Sequence, residues 1–218
     1  MQVRPDSLMA DCFAPWSPIR RAPRAETLPG DGLAQRRLDE LLLKSVRAGD
    51  KSAMKVLYQR YNVQIYRFVL RLIKNSSVAE EIVSDVFLVV WRDASRFEGK
   101  SSVATWLMAI ARHKAVSALR RRSDSLLDHY PADATTDPRD NPEFQTDQID
   151  RLEIIHRCLR KLSPRHREII DLYYYHEKSV REIAEIIGAP EGTVKTRMFY
   201  ARRRMSRLLG IAGIRGLS

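Results

Sequence analysis

The chain has 218 residues, 38 of them Lys or Arg and 27 Asp or Glu, for a formal net charge of +11. Such an excess points to a polyanionic partner, because each neutralised phosphate releases condensed counterions. Two isolated cysteines, Cys12 and Cys158, exclude a disulfide framework and a paired-cysteine metal site, and they suit a reducing cytoplasm.

Residues 1–32 hold five prolines among scattered charges. They lack the apolar core of a signal peptide and are expected to be a disordered tail. No stretch of the chain approaches the roughly 18 unbroken apolar residues of a membrane helix. From Leu33 the pattern turns helical, with Leu38, Leu41, Leu42 and Val46 on one face and Gly49 as the stop. Asp50 then caps a longer helix whose apolar face is Met54, Leu57, Tyr58, Tyr61, Ile65, Phe68, Val69 and Leu72. Ser77 with Glu80 reads as a capping box opening a third helix through Ile82, Val83, Val86, Phe87, Val90 and Trp91. A polar loop around Gly99 follows. Helical periodicity resumes from Val103 to Arg122, with Trp106, Leu107, Ile110 and Leu119 apolar and Arg120, Arg121 and Arg122 at the end.

Residues 123–146 break the pattern with Pro131, Pro138 and Pro142, and read as a linker. From Ser123 to Asp150 seven Asp and one Glu face Arg139 alone, a net of −7, so the remainder of the chain carries +18. A second domain, 147–210, begins with a helix through Leu152, Ile155, Leu159 and Leu162. Ser163 and Pro164 open the next, through Ile169, Ile170, Leu172 and Tyr173. Ser179 with Glu182 forms a capping box, Ile183, Ile186 and Ile187 recur at helical spacing, Gly188 ends the helix and Pro190 starts another. This is a helix-turn-helix. Residues 211–218 are a C-terminal tail. No segment shows sustained strand alternation, so the fold class is all-α, with two small helical domains, 33–122 and 147–210.

The second helix of the helix-turn-helix carries Thr193, Lys195, Thr196 and Arg197 early and Arg202, Arg203, Arg204 and Arg207 later. That order suits base edges first and phosphates beyond. A second nucleic-acid surface is expected around Phe97, Gly99, Ser101, Trp106 and Arg112, continuing to Arg120 and Arg121. There aromatics, a glycine loop and cations interleave as in single-strand binders. Packing in a core is the competing reading for Phe87, Trp91 and Trp106. The five histidines lack metal-ligand spacing, so no metal and no other cofactor is expected. Without a carboxylate cluster or a nucleophile–base pair, catalysis is not expected either.

AEEIVSDVFLVVWR, the later FEG and TWLMAIAR, then LSPRHREII and IAEIIGAPEGTVKTRMFYARRRM, resemble the extracytoplasmic-function group of bacterial RNA polymerase sigma factors. The resemblance runs from about Asp39 to Leu209 and covers sigma regions 2 and 4. It implies promoter recognition at minus-35 and minus-10 elements and DNA melting. It also implies binding to core RNA polymerase through the β′ clamp helices and the β flap, and an anti-sigma factor, often membrane-tethered, as a further partner. Stress response is the usual setting of the group. On matching positions it puts Asp85, Phe87, Trp91 and Arg92 against polymerase. It puts Phe97, the loop to Ser102, Trp106, Arg112 and His113 at the minus-10 element. Lys195, Thr196, Arg197, Phe199 and Tyr200 fall on the minus-35 helix. Three positions depart from the group: His113 stands where Asn is usual, Ser117 where Asp is frequent, and Tyr200 where Arg is frequent.

The two elements lie roughly two helical turns apart, about 70 Å. A 24-residue flexible linker spans only about 27 Å on average and about 80 Å fully extended. The free chain is therefore not expected to hold its domains at promoter spacing, and polymerase is the scaffold. The acidic linker reads either as a mimic of nascent RNA or as a plain solvated spacer. The alternative function from the residues alone is a polymerase-independent helix-turn-helix regulator.

Overall fold

The computed structural model describes residues 31–125 and 154–212. Every regular element among the described residues is helical. Helix α1 is Asp31–Arg47, α2 Lys51–Ile73 and α3 Ser76–Asp93, followed by a short 3-10 turn, Ala94–Arg96, and then α4, Val103–Ser125. Residues 154–160 are helical, then come α5 (Pro164–Tyr174), α6 (Val180–Ile187) and α7 (Glu191–Ile211). No helix among the described residues is long and apolar enough to cross a membrane. Of the expected tail 1–32, residues 1–30 lie outside the described residues, as do 126–153 of the linker and second-domain start and 213–218 of the expected C-terminal tail, while residues 31 and 32 already belong to α1. Helix α4 continues through Ser125, three residues into the expected linker.

The first core forms where α2, α3 and α4 bring Leu57, Phe68, Val69, Val86 and Leu107 together, each fully buried. The α2 face appears as its periodicity requires, except that Tyr58 lies 43% exposed. Asp50 accepts from the Ser52 and Ala53 amides at 2.8 and 3.2 Å, which satisfies donors that a helix start leaves unpaired.

Three expectations need correction. In α1 the buried residues are Asp39, Leu43 and Val46, whereas Leu38 and Leu41 are 50% and 60% exposed. The face rotates because the Tyr61 hydroxyl donates to Asp39 from the core and exposed Arg60 pairs with it from the surface, so a carboxylate holds a core position. Burial, then the Asp39 hydrogen bond and charge, push the Tyr61 phenol well above its ordinary range. Helix α3 is capped not by Ser77 but by Asn75, whose side chain accepts from the Val78 amide at 3.0 Å. In α4 the buried stripe is Val103, Leu107, Ala111 and Ala115, with Leu119 39% exposed, because small alanines let α2 and α3 approach closely.

The second core joins Ile169, Leu172, Ile183, Val194 and Met205 from α5, α6 and α7. Ser163 accepts from the His166 amide and Pro164 occupies the first turn of α5. Arg167 donates to the carbonyls of Leu159, Arg160 and Leu162 at 3.1, 2.8 and 3.2 Å, closing the preceding helical stretch. The two cores touch: α4 packs on α6, and α2 reaches α5.

Helix α6 is closed at both ends. Ser179 Oγ accepts from the Glu182 amide at 3.2 Å while Glu182 accepts from the Ser179 amide at 3.0 Å. Gly188 takes φ 63° at the other end, the left-handed turn that lets α7 depart at an angle. A Cβ at Gly188 would meet no atom within 4 Å, so its substitution tests backbone conformation alone. Gly188→Ala is expected to lower stability by about 1 kcal/mol. Gly192→Ala, in helical backbone with equally open space, is expected to raise it by up to about 1 kcal/mol. Denaturant titration followed by circular dichroism reads both; equal effects would contradict the assigned turn.

Candidate nucleic-acid interface

Helix α7 divides into two faces by its own periodicity. Val194, Met198, Ala201, Met205 and Leu208 are buried, which anchors the helix on α5 and α6. Lys195, Thr196, Phe199, Tyr200 and Arg203 are exposed, and Thr193 and Arg197 half-buried, along the other side. Thr196 Oγ1 donates back to the Gly192 carbonyl at 2.9 Å. The Phe199 and Tyr200 rings meet edge-on at 5.4 Å. One expected phosphate contact turns inward: the Arg202 guanidinium lies 5.0 Å over the Tyr173 ring and 6.0 Å from that of Tyr174. The outer face thus offers a cationic, aromatic and hydroxyl surface on a rigidly seated helix.

The second surface surrounds the start of α4. The 3-10 turn after α3 leads into a loop in which Gly99 takes φ 71°, so the chain reverses before Ser102 caps α4 by accepting from the Thr105 amide at 3.2 Å. Phe97 is half-buried rather than fully exposed, its ring 5.4 Å from Trp106 in an edge contact. The pair forms an aromatic corner open on one side. A cleft of about 600 Å³ adjoins it, lined by Lys100, Ser101, Thr105, Trp106, Arg181 and Glu185. His113, Arg120 and Arg121 are exposed along α4. Arg112 is not free: its Nε donates to Glu168 Oε1 at 2.6 Å and Nη2 to Oε2 at 3.3 Å.

A third patch lies on α3. Trp91 is 38% exposed, and Leu88 beside it, which sequence reasoning passed over, is 64% exposed. Its signal was an apolar residue one place beyond the buried stripe. Asp85 pairs with Lys114 of α4 at 2.8 Å, and Arg92 reaches Asp93 at 3.4 Å. Phe87 corrects the expectation of a docking residue: it is 5% exposed, with Tyr58 at 4.8 Å between ring centroids. It backs the patch from the core instead of presenting a surface.

Glu182 joins the surfaces. Burial pushes its carboxyl up, but the Ser179 amide, Lys178, the Ser179 hydroxyl and Thr105 outweigh burial and hold it below the ordinary carboxylate range. Its contribution to stability is therefore present above that range and is lost as pH falls through the lowered value. Lys178, 8% exposed and 3.5 Å from Glu182, is pulled down by burial.

The family model of Sigma-70 region 2 matches residues 57–124, and that of Sigma-70, region 4, matches residues 152–205. The ECF RNA polymerase sigma factor SigK of Mycobacterium sp. strain KMS is 28% identical over 176 residues, covering 79% of this chain and 91% of the relative. SigK of Mycobacterium bovis strain BCG Pasteur 1173P2 is 28% identical over 177 residues, covering 79% and 94%. Among solved structures, the sigma factor RpoE in complex with the anti-sigma factor NepR from Bartonella quintana matches with TM-score 0.60 and 26% identity, over 72% of this chain and 96% of that one. CnrH in complex with the cytosolic domain of CnrY matches with TM-score 0.59 and 21% identity over 80% and 98%, a likeness of fold. A helix-turn-helix with a cationic outer face, an aromatic corner at the head of a basic helix and both region models along one all-helical chain leave the polymerase-independent regulator unfavoured. The chain belongs to the extracytoplasmic-function sigma factors, which direct RNA polymerase to promoters for initiation and are not enzymes.

Proposed function

We propose that the domain 33–122 reads the minus-10 element and docks on polymerase, and that the domain 147–210 reads the minus-35 element. The outer face of α7 supports the second half of this reading, because its hydroxyls and cations stand where a recognition helix places base and phosphate contacts. Lys195, Thr196 and Arg197 reach base edges, with Thr193 and Arg203 on phosphates and Phe199 and Tyr200 packing along the groove wall. Tyr200 offers a hydroxyl where the group frequently has a guanidinium, so one charge is traded for a neutral contact.

At the minus-10 element the Phe97–Trp106 corner receives an unpaired base, with Gly99 and Ser101 lining the approach and His113, Arg112, Arg120 and Arg121 along the strand. Extruding a base costs a few kcal/mol of stacking, and a fitted aromatic pocket with phosphate contacts offsets that cost. Opening needs no covalent step from the protein, so no catalytic residue is assigned. Asp85, Leu88, Trp91 and Arg92 form the docking patch for the β′ clamp helices, with Phe87 bracing it from beneath. The β flap is the second contact, on the domain 147–210. An anti-sigma factor is a further partner, as in the RpoE–NepR complex. The cytoplasm is the compartment where these partners meet the promoter.

The exposed cationic face of α7, joined in one chain to the aromatic corner of α4, carries this reading. In vitro transcription with core polymerase on genomic fragments tests it: start sites must appear only when both proteins are present. Arg197→Ala is expected to weaken promoter binding by about 1–3 kcal/mol if its contact is bidentate to a base. Electrophoretic mobility shift of the holoenzyme measures this loss. Phe97→Ala is expected to leave closed-complex formation intact and to abolish permanganate reactivity at the minus-10 thymines. An equal loss of both steps would reduce Phe97 to a packing residue.

A further inference from the structure

Helix α1 carries two apolar faces, and the described residues cover only one. Asp39, Leu43 and Val46 are buried in the first core, whereas Leu33, Leu38 and Leu41 are 64%, 50% and 60% exposed, and Ala34 is exposed beside them. Ala34, Leu38 and Leu41 recur at intervals of four and three, so they form one stripe along the helix. Half-buried Leu42 joins one flank of the stripe to the core, and exposed Arg37 and Lys44 run along the other. Single exposed apolar residues are ordinary on a protein surface. Three leucines within nine residues of one helix form a patch that calls for an occupant.

The chain itself supplies one. Residues 1–30 run directly into α1, and their only aromatics are Phe13 and Trp16. Phe13, Trp16 and Ile19 follow one another at intervals of three, with Pro15 and Pro18 between them at the same interval. A proline fixes its own φ and steers the residue before it, here Ala14 or Ser17, away from helix. The sequence therefore favours polyproline II geometry, whose three residues per turn align these large side chains on one edge, about 9 Å apart. A segment with that preference loses little backbone freedom on docking to an apolar surface. Pro29 and Gly30 stand immediately before α1, a pair suited to a turn that sends the segment back along the helix. Fourteen residues, 17–30, separate Trp16 from α1, and a chain of that length spans about 20 Å on average. Leu38 lies only about 10 Å along the axis from Asp31, at the helical rise per residue. The tether reaches.

We propose that Phe13, Trp16 and Ile19 dock on the outer leucine stripe of α1, so that residues 13–19 form a strap on the first helical domain. Tethering favours this occupant over any other, because a short flexible link holds the segment at an effective concentration in roughly the millimolar range. A second copy or a separate protein does not reach that concentration. The stripe from Ala34 to Leu41 is also little more than one heptad, whereas helices that pair through such a seam need about three or four. Covering the leucines removes an apolar patch from the surface of a strongly cationic chain. The strap is independent of which surfaces read DNA.

Fluorine NMR of the full chain carrying 5-fluorotryptophan tests it. Of the signals from Trp16, Trp91 and Trp106, the one missing in Trp16→Phe belongs to Trp16. In the free wild-type chain the Trp16 signal is expected to be as broad as those of the two helical tryptophans and shielded from a soluble gadolinium chelate. A narrow signal that the chelate broadens freely overturns the strap whatever any variant does. Leu38→Gln with Leu41→Gln, both exposed, is expected to narrow the Trp16 signal and open it to the chelate. An unchanged signal puts Trp16 somewhere other than α1 and overturns the proposal. Phe13→Ser with Ile19→Ser, outside the described helices, is expected to release Trp16 in the same way while helical circular dichroism stays unchanged. This variant decides the matter if the leucine variant does not fold, and retention of the broad signal in it is a failure of the strap. A Trp16 signal that narrows on dilution, together with a dimer mass in sedimentation, puts Trp16 against a second copy and also overturns the strap. So does a signal that is narrow in the free chain and broadens only when core polymerase is added.

Discussion

A chain that must present arginines to DNA has to fold without those arginines repelling one another. The structure meets that constraint by burying acids against them. Asp39 sits inside against Arg60, Glu168 against Arg112 and Asp171 against Arg71. Each acid is under a tenth exposed. A buried carboxylate is strongly unfavourable alone and tolerable only when paired and hydrogen-bonded. The acids therefore specify which arginines are held in ion pairs, and by exclusion which cations remain available on α7 and at the end of α4. The polarity of the nucleic-acid surface follows from where the negative charge is hidden.

Much of the frame was legible in the sequence because local chemistry dictates it. The Ser179–Glu182 box, the isoleucine spacing and Gly188 are short-range signals, and each is realised as read. Asp50 and Ser163 likewise cap the helices they precede. The failures share a cause, which is that partners distant in sequence decide them. Asp39 enters the core because Arg60 and Tyr61, some twenty residues on, receive it. Asn75 outcompetes Ser77 as a cap by lying one residue before the first turn rather than within it. Phe87 belongs to the core because Tyr58 meets it across α2, and Arg202 turns inward because Tyr173 lies beneath it. The acids Glu168 and Asp171 looked like ordinary polar positions of α5. Only the packing of α5 against α2 and α4 reveals what they hold.

The two candidate nucleic-acid surfaces differ in how firmly they are set. Helix α7 is pinned by a continuous buried stripe from Val194 to Leu208, so its outer side chains are presented on a scaffold that costs little to organise at the moment of binding. The Phe97–Trp106 corner is softer. Its aromatic pair follows a loop with a left-handed glycine, and the cleft beside it is walled on one side by Arg181 and Glu185 of the other domain.

The chemistry of the contact matters as much as its existence. A wholly apolar seam of the same area would not be loosened by charge screening, and a polyanion would have no group in it to compete for. A seam built on Arg–carboxylate pairs competes directly with phosphate, and its strength depends on the same ionic conditions as DNA binding. The Phe68–His176 and Arg71–Tyr175 contacts supply the packing that gives the seam its geometry, while the Arg112–Glu168 pair supplies its charge.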